Sequence, residues 1–314
     1  MAQAIRPTTI QSGTKKNERL NNWQTFDTIV TVIAVLCCFI TIYPMWYVIC
    51  MSFSNPIAAA AGKVTFYPIG FTLDAYKIVC LDNEFWNAFK NSILYVIAGC
   101  VLMLFNTIAV SYPLTRPNLW GHKFLNYYLL IPMYFGGGMI PSFILITKLG
   151  LYNSPWALIL PGYSIWNIIL CRTYLLSIPS ELSEAAFIDG ATNMQMLFKI
   201  YIPLAKPIIA VIMIYTIAGI WNSWFTASIY TTNKSIQPVQ LFLRNVLISL
   251  QSAMRTTEQT GMTAEVQKAM AEQAMSARQL RYSMIVIVTM PILLVYPMFQ
   301  KHFTKGIMLG SLKG

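Results

Sequence analysis

An all-α membrane protein with six transmembrane helices is the fold class this sequence predicts. Three observations predict it: an apolar excess, a scarcity of charge, and the spacing of the charges that remain. Of 314 residues, 56% are apolar and 11% charged, whereas about a quarter are charged in an ordinary soluble domain. So little polar surface cannot coat one or two soluble domains, which excludes a soluble enzyme, a disordered regulator and a disulfide-stapled secreted module. The six cysteines, Cys37, Cys38, Cys50, Cys80, Cys100 and Cys171, show no paired metal-ligand spacing. Most lie in long apolar runs, where a thiol behaves as a small hydrophobe.

No Asp, Glu, Lys or Arg occurs in Thr28–Gly62, Asn91–Thr115, Phe124–Thr147, Leu149–Cys171, Pro207–Asn233 or Tyr282–Gln300, which are 35, 25, 24, 23, 27 and 19 residues long. About 20 apolar residues cross the hydrocarbon core as a helix. Each stretch therefore holds one crossing, at 29–51, 92–113, 124–146, 155–177, 207–230 and 282–300. The first stretch outruns a single crossing, and its tail, Pro56–Gly62, reads as loop. Its apolar run also exceeds the core of a signal peptide, so the helix is expected to stay uncleaved. A tail over 1–27 precedes one membrane domain over 28–314.

An even number of crossings puts both termini on one side. That side carries twelve Lys and Arg against ten on the other, with net charges of +7 and +4. The bias places both termini in the cytoplasm and makes 231–281 a long external loop. Gln240–Leu250 and Ala264–Arg281 in that loop have helix-forming composition, with a polar stretch, Gln251–Thr263, between them. The net charge of +11 is scattered over loops, so nucleic acid is not an expected partner and lipid is.

Breakers fall inside several crossings: Pro132, Gly136-Gly137-Gly138 and Pro141 in the third, Pro161-Gly162 in the fourth, Pro291 and Pro297 in the sixth. Broken backbone at membrane depth is tolerated where it faces protein or a wet cavity, so these helices are expected to line a pathway. Sugars stack on aromatic faces and bond to amides. Trp166, Asn167, Trp221, Asn222 and Trp224, with Tyr134 and Tyr163 near the breaks, are the expected cargo-path residues. Packing cores and interfacial belts use the same residue types.

The crossings hold no ionisable side chain of the kind that couples solute to an ion gradient, and the histidines, His122 and His302, sit at span margins. Sodium coupling through unwound backbone keeps a secondary transporter as a rival reading. The Gly62-Lys63 pair does not begin a phosphate cradle, because Ile57 and Val64 occupy the required Gly and Ser/Thr positions. No catalytic motif, cofactor site or metal cluster is expected, so any energy must come from a partner.

A segment over 179–206 can receive it. Pro179 suits a first helical turn, Glu181 complements the dipole there, and Gly190 can take the positive φ that ends a helix. Thr192 and Gln195 then form a capping-box pattern for a second helix, which is expected to finish before Pro203. The result is a bent hairpin whose Ala185, Ala186, Phe187 and Ile188 suit a groove on another protein.

Glu184-Ala185-Ala186-x-x-Asp189-Gly190-Ala191, followed by Phe198, Ile200 and Ile202-Pro203, closely resembles the EAA loop of permease subunits of bacterial binding-protein-dependent ABC importers. The departure is Ile202, where the family usually has Leu. Phe66-Tyr67-Pro68-x-Gly70-Phe71-Thr72-Leu73 with Tyr76 resembles the family's first external loop, and Trp221-Asn222-x-x-Phe225 its fifth span, while Gln300-x-x-Phe303-x-x-Gly306-x-x-x-Gly310 through Lys313-Gly314 is similar to the C-terminus of the carbohydrate, maltose-permease-like members. The ending Lys305–Gly314 points to the branch serving oligosaccharides or polysaccharide fragments.

The resemblance implies the type I ABC importer permease fold in a bacterial cytoplasmic membrane. It implies a second homologous permease subunit, two ATPase subunits that bind ATP and Mg, and an extracytoplasmic solute-binding protein that delivers a carbohydrate. Glu184, Ala185, Ala186, Phe187, Asp189, Gly190, Ala191 and Pro203 would then form the coupling helix and its flanks, with Glu184 meeting a basic group of the ATPase. A non-sugar cargo is the alternative.

Overall fold

The computed structural model describes residues 14–259 and 279–300. The C-terminal Lys305–Gly314, most of the expected external helix at Ala264–Arg281, and residues 1–13 lie outside them. The described residues form helices joined by turns and short loops, without strands.

Helix α1 (Thr14–Ser52) starts well before the first uncharged stretch at Thr28, so part of the expected N-terminal tail is helical. The short α2 (Pro56–Ala60) replaces the expected loop. Asn55 caps it, accepting a bond from Ile57 N, and proline fits its first turn. Helix α3 (Asp74–Leu81) begins where Thr72 Oγ1 donates to Asp74. That bond, with Lys77 beside it, holds the Asp74 carboxyl below its ordinary value. Asp82 caps α4 (Asn83–Ser111), accepting bonds from Glu84 N and Phe85 N.

The third uncharged stretch forms two helices, α5 (His122–Tyr134) and α6 (Met139–Lys148), at 114° to one another. The break sits at Phe135–Gly138, where Gly138 takes φ +83°. The two prolines do not make it. Pro132 lies inside α5, and Pro141 lies in the first turn of α6, where a missing N–H leaves no helical bond unmade. The fourth stretch divides into α7 (Trp156–Ile159), a 3₁₀ turn at Leu160–Gly162, and α8 (Ile165–Leu176). At 12 residues α8 rises about 18 Å, which is too short to cross by itself.

Four helical pieces follow: α9 (Ser180–Ile188), α10 (Asn193–Met196), α11 (Ile202–Leu204) and α12 (Lys206–Trp221). The fifth crossing, expected to run unbroken, stops at Asn222-Ser223 before α13 (Trp224–Tyr230). Helix α14 (Val239–Gln259) continues through much of the polar stretch expected to be a separator. The last helix, α15 (Gln279–Gln300), runs straight through Pro291 and Pro297 without a break. Membrane helices tolerate such prolines because neighbours re-satisfy the freed carbonyls.

Among the described residues three helices are long and apolar enough to cross a membrane: Thr25–Ser52, Asn83–Thr115 and Gln279–Gln300. Two bent pairs raise the number to five if each pair is one crossing.

Helix α4 is the central element, packing chiefly on α12 and α8. Gly99 makes the close approach possible: a Cβ there would collide with Ile220 Cδ1. Around the N-terminal end of α4, Val79, Phe85, Ala88, Trp221, Val239, Leu243, Met284 and Val288 form a core. Asn87 and Asn91 donate to Ser235 O, and Tyr95 donates to Ile236 O, tying α4 to the segment that leads into α14. A second core joins Tyr112, Cys171, Leu175, Met196, Leu197, Tyr201, Ala205, Ile208 and Ile212.

Trp221→Ala is expected to cost about 3 kcal/mol or more and to lower the thermal midpoint of the purified protein in detergent. An unchanged midpoint would remove Trp221 from the core. Gly99→Leu is expected to prevent α4 from seating on α12 and to reduce the monodisperse fraction on size-exclusion chromatography. Gly99→Ala displaces only the terminal methyl of Ile220 and is expected to keep that fraction.

Candidate functional site

The bent hairpin is built by short-range signals. Pro179 sits at the N-cap of α9 with extended ψ, one residue earlier than expected. At the other end Gly190 N donates to Phe187 O and Ala191 N to Ala186 O, at 3.0 and 2.9 Å. This double closure requires a left-handed residue, and Gly190 supplies it at φ +77°. Thr192 then opens α10 with a complete capping box: Gln195 N donates to Thr192 Oγ1, and Thr192 N donates to Gln195 Oε1.

Helical backbone does not end before Pro203. A π-turn at Leu197–Tyr201 leads directly into α11, which contains Pro203, and the chain bends by 75° only at Ala205. The wider turn relieves the clash of the proline ring with the preceding turn, so the helix survives where an α-helix would stop.

The hairpin leaves apolar groups uncovered. Phe187 is 74% and Ile188 84% exposed, and Glu184, Ala185, Asp189 and Gly190 are exposed as well. Ala186, expected to be free, is half-buried against the core around Tyr112 and Tyr201. Among the described residues Glu184 has no hydrogen bond or ion pair; the one ion pair there joins Lys77 to Asp74. Beside the hairpin lies a cavity of about 1560 Å³ lined in part by Glu184, Phe187, Ile188, Met194 and Phe198.

A smaller cavity, about 430 Å³, opens between α8 and α12. Trp166, Tyr215 and Asn167 line it with Ser164, Thr216 and Ser223. Asn167 is only 5% exposed, and its carboxamide has no hydrogen bond among the described residues, while its backbone N donates to Ser164 Oγ. Thr216 and Ser223 spend their hydroxyl protons on Ile212 O and Ile220 O, leaving oxygen lone pairs to accept bonds. The chamber therefore offers two aromatic surfaces, an amide and several acceptors, and no Asp, Glu, Lys, Arg or His lines it.

Of the seven expected path residues only Trp166 and Asn167 meet here. Trp221 does not line a path: it is 3% exposed, donates from Nε1 to Val288 O at 3.2 Å, and lies edge-on to Phe89. Asn222 accepts from Gln240 Nε2, and Trp224 lies under the Arg244 guanidinium at 4.7 Å. Tyr134 and Tyr163 are exposed at their helix breaks, outside the chamber. Tyr215, Thr216, Ser164 and Ser223 were not expected. The signal for them is Gly219, one turn after Tyr215, which leaves room beside a tyrosine on an otherwise bulky helix. Among the described residues no cluster of His, Cys, Asp and Glu could hold a metal ion.

Comparison with known proteins agrees with the helical permease architecture expected from the EAA-like segment. Protein LplC of Bacillus subtilis (strain 168) is 36% identical over 276 residues, covering 88% of this chain and 90% of that one. The polygalacturonan/rhamnogalacturonan transport system permease protein YtcP of the same organism is 32% identical over 290 residues, covering 92% and 98%. A chain in the crystal structure of a bacterial ABC transporter that imports the acidic polysaccharide alginate superimposes with a TM-score of 0.78 at 30% identity, covering 95% of this chain and all of that one. The model of the binding-protein-dependent transport system inner membrane component family matches residues 108–309. The chain belongs to that family and is a membrane-integral permease of a binding-protein-dependent transporter.

Proposed function

We propose that this chain carries an oligosaccharide or polysaccharide fragment across a bacterial cytoplasmic membrane as one of two homologous permeases in an ABC importer. Two partner ATPases bind ATP and Mg and hydrolyse the nucleotide. This subunit has neither cofactor nor catalytic residue of its own. An extracytoplasmic solute-binding protein delivers the cargo, six crossings place both termini in the cytoplasm, and the 179–206 hairpin faces the ATPases.

The observation that carries the reading is the hairpin itself. A helix closed by Gly190 presents bare Phe187 and Ile188 beside an unpaired Glu184, a combination suited to a groove with a basic group at its rim. The cargo class is supported by the relatives named for polygalacturonan, rhamnogalacturonan and alginate transport. The aromatic and amide chamber at Trp166 and Asn167 supports it too, since a sugar ring stacks on one and bonds to the other.

The test is reconstitution in liposomes with the partner permease, ATPases and binding protein. Oligogalacturonides, rhamnogalacturonan fragments, alginate oligosaccharides and galacto-oligosaccharides serve as the cargo panel. Uptake is expected only with ATP and the full set; uptake by this chain alone would establish a secondary transporter instead. Glu184→Ala is expected to reduce uptake about thirtyfold or more, the loss of one buried charged contact. Gly190→Val, strained at positive φ, is expected to act in the same direction, both variants remaining in the membrane. Asn167→Leu is expected to raise the KM for uptake while leaving ATPase co-purification intact. An unaltered KM would remove the chamber from the cargo path.

A further inference from the structure

Where α4 ends, its last residues hold the arm that joins the hairpin to α12. Tyr112, at the α4 C-cap, donates from Oη to Asn193 O at 2.9 Å, the first residue of α10. Arg116 Nη2 donates to that same Tyr112 hydroxyl. The guanidinium carbon lies 4.7 Å from the Tyr112 ring centre and 5.0 Å from that of Tyr201, and the two rings meet edge to face at 5.3 Å. Tyr201 closes the π-turn that carries the arm past Pro203. Both tyrosines are buried, and Arg116 Nε is buried without a partner.

No carboxylate pairs with Arg116 among the described residues. Its charge is held by two aromatic faces and one hydroxyl, contacts that require a planar guanidinium and that an ammonium would not reproduce. The turn after α4 is itself fixed from two sides, because Arg172 Nε donates to Leu114 O at 3.1 Å and His122 Nε2 lies 3.0 Å from the same carbonyl. The hairpin arm is thus tied at Asn193 and at Tyr201 to one guanidinium, and that guanidinium to α4.

We propose that Arg116 is a positioning residue for energy coupling: with Tyr112 and Tyr201 it clasps the hairpin arm to α4, so that displacement of the hairpin moves α4 and the helices packed on it. The clasp forms part of the wall of the cavity beside the hairpin. It rests on the importer reading above, and its removal disconnects hydrolysis from transport without detaching the ATPases, because the exposed docking face at Glu184, Phe187 and Ile188 is left in place.

The experiment measures ATP hydrolysed per solute imported in proteoliposomes holding the complete transporter, its binding protein and the cargo panel. Arg116→Gln is expected to co-purify with the ATPases and hydrolyse ATP, while the ATP-to-solute ratio rises roughly tenfold, the loss of a desolvated cation–π pair. Arg116→Lys is expected to fail similarly. Tyr201→Phe keeps the aromatic face and is expected to keep the ratio low, whereas Tyr201→Leu raises it. Tyr112→Phe, which removes only the hydroxyl links, falls between. An unchanged ratio in Arg116→Gln overturns the proposal. So does loss of uptake, hydrolysis and co-purification in parallel with a lowered thermal midpoint, which marks a purely structural residue. Absence of ATP-dependent uptake in the unmodified transporter overturns the importer reading, whereas normal unmodified uptake with an unchanged Arg116→Gln ratio overturns the clasp alone.

Discussion

Hydrocarbon offers no partner to a backbone N–H or C=O, and that constraint decides where this chain can be irregular. Each break within an expected crossing has a local partner. At the first, Ser142 donates from both N and Oγ to Gly138 O. At the second, Ser164 Oγ accepts from Asn167 N. At the third, Ser223 donates from N and Oγ to Ile220 O, and Trp224 N donates to Asn222 O. The second and third breaks face one another across the small chamber, since Pro161, Ser164 and Ser223 all line it. The polar cavity and the broken helices are one feature: the breaks bring the hydroxyls of Ser164 and Ser223 to the chamber wall, beside Asn167 at the start of α8.

What could be read from sequence follows the range of the interactions responsible. The bend of the hairpin depends on Gly190 and on Thr192 with Gln195, all within a few residues, and their chemistry is visible without the fold. The end of its second arm was misread at Pro203 because a π-turn has no comparable local mark, and it alters how a proline is accommodated. Trp221 shows the longer-range failure. An aromatic beside an amide in an apolar helix suits a cargo path or a core equally well. The choice is made by Val288, 67 residues away, whose carbonyl takes the indole N–H. The prolines of α15 and α5 similarly suggest breaks, yet both helices continue through them.

Much apolar surface remains uncovered in the single chain. Phe39, Ile40 and Ile42 of α1 point outward, as do Val101 and Phe105 of α4, and none of the apolar window of α1 is buried. A helix apolar on every side is stable only when lipid or a second protein surrounds it. The hairpin tip differs, because Phe187 and Ile188 lie next to a carboxylate and polar caps that hydrocarbon would strand. The two kinds of exposure therefore call for different occupants: lipid or a companion permease along the shafts, and a polar-rimmed protein groove at the tip.

Helix α4 connects these regions mechanically. Its 29 residues span about 43 Å. At one end Asn87, Asn91 and Tyr95 grip the carbonyls of 235–237; at the other, Tyr112 and Arg116 grip the hairpin arm. Between them Gly99 lets the rod lie directly on α12, and Met103 forms part of the chamber wall. The side-chain bonds at both ends are directional, and the middle is held by close packing in which Gly99 seats against Ile220 and Ser92 Oγ accepts from Val239 N. Close-packed interiors pass strain on, so the hairpin arm, the rod and the chamber wall are joined by one continuous set of contacts.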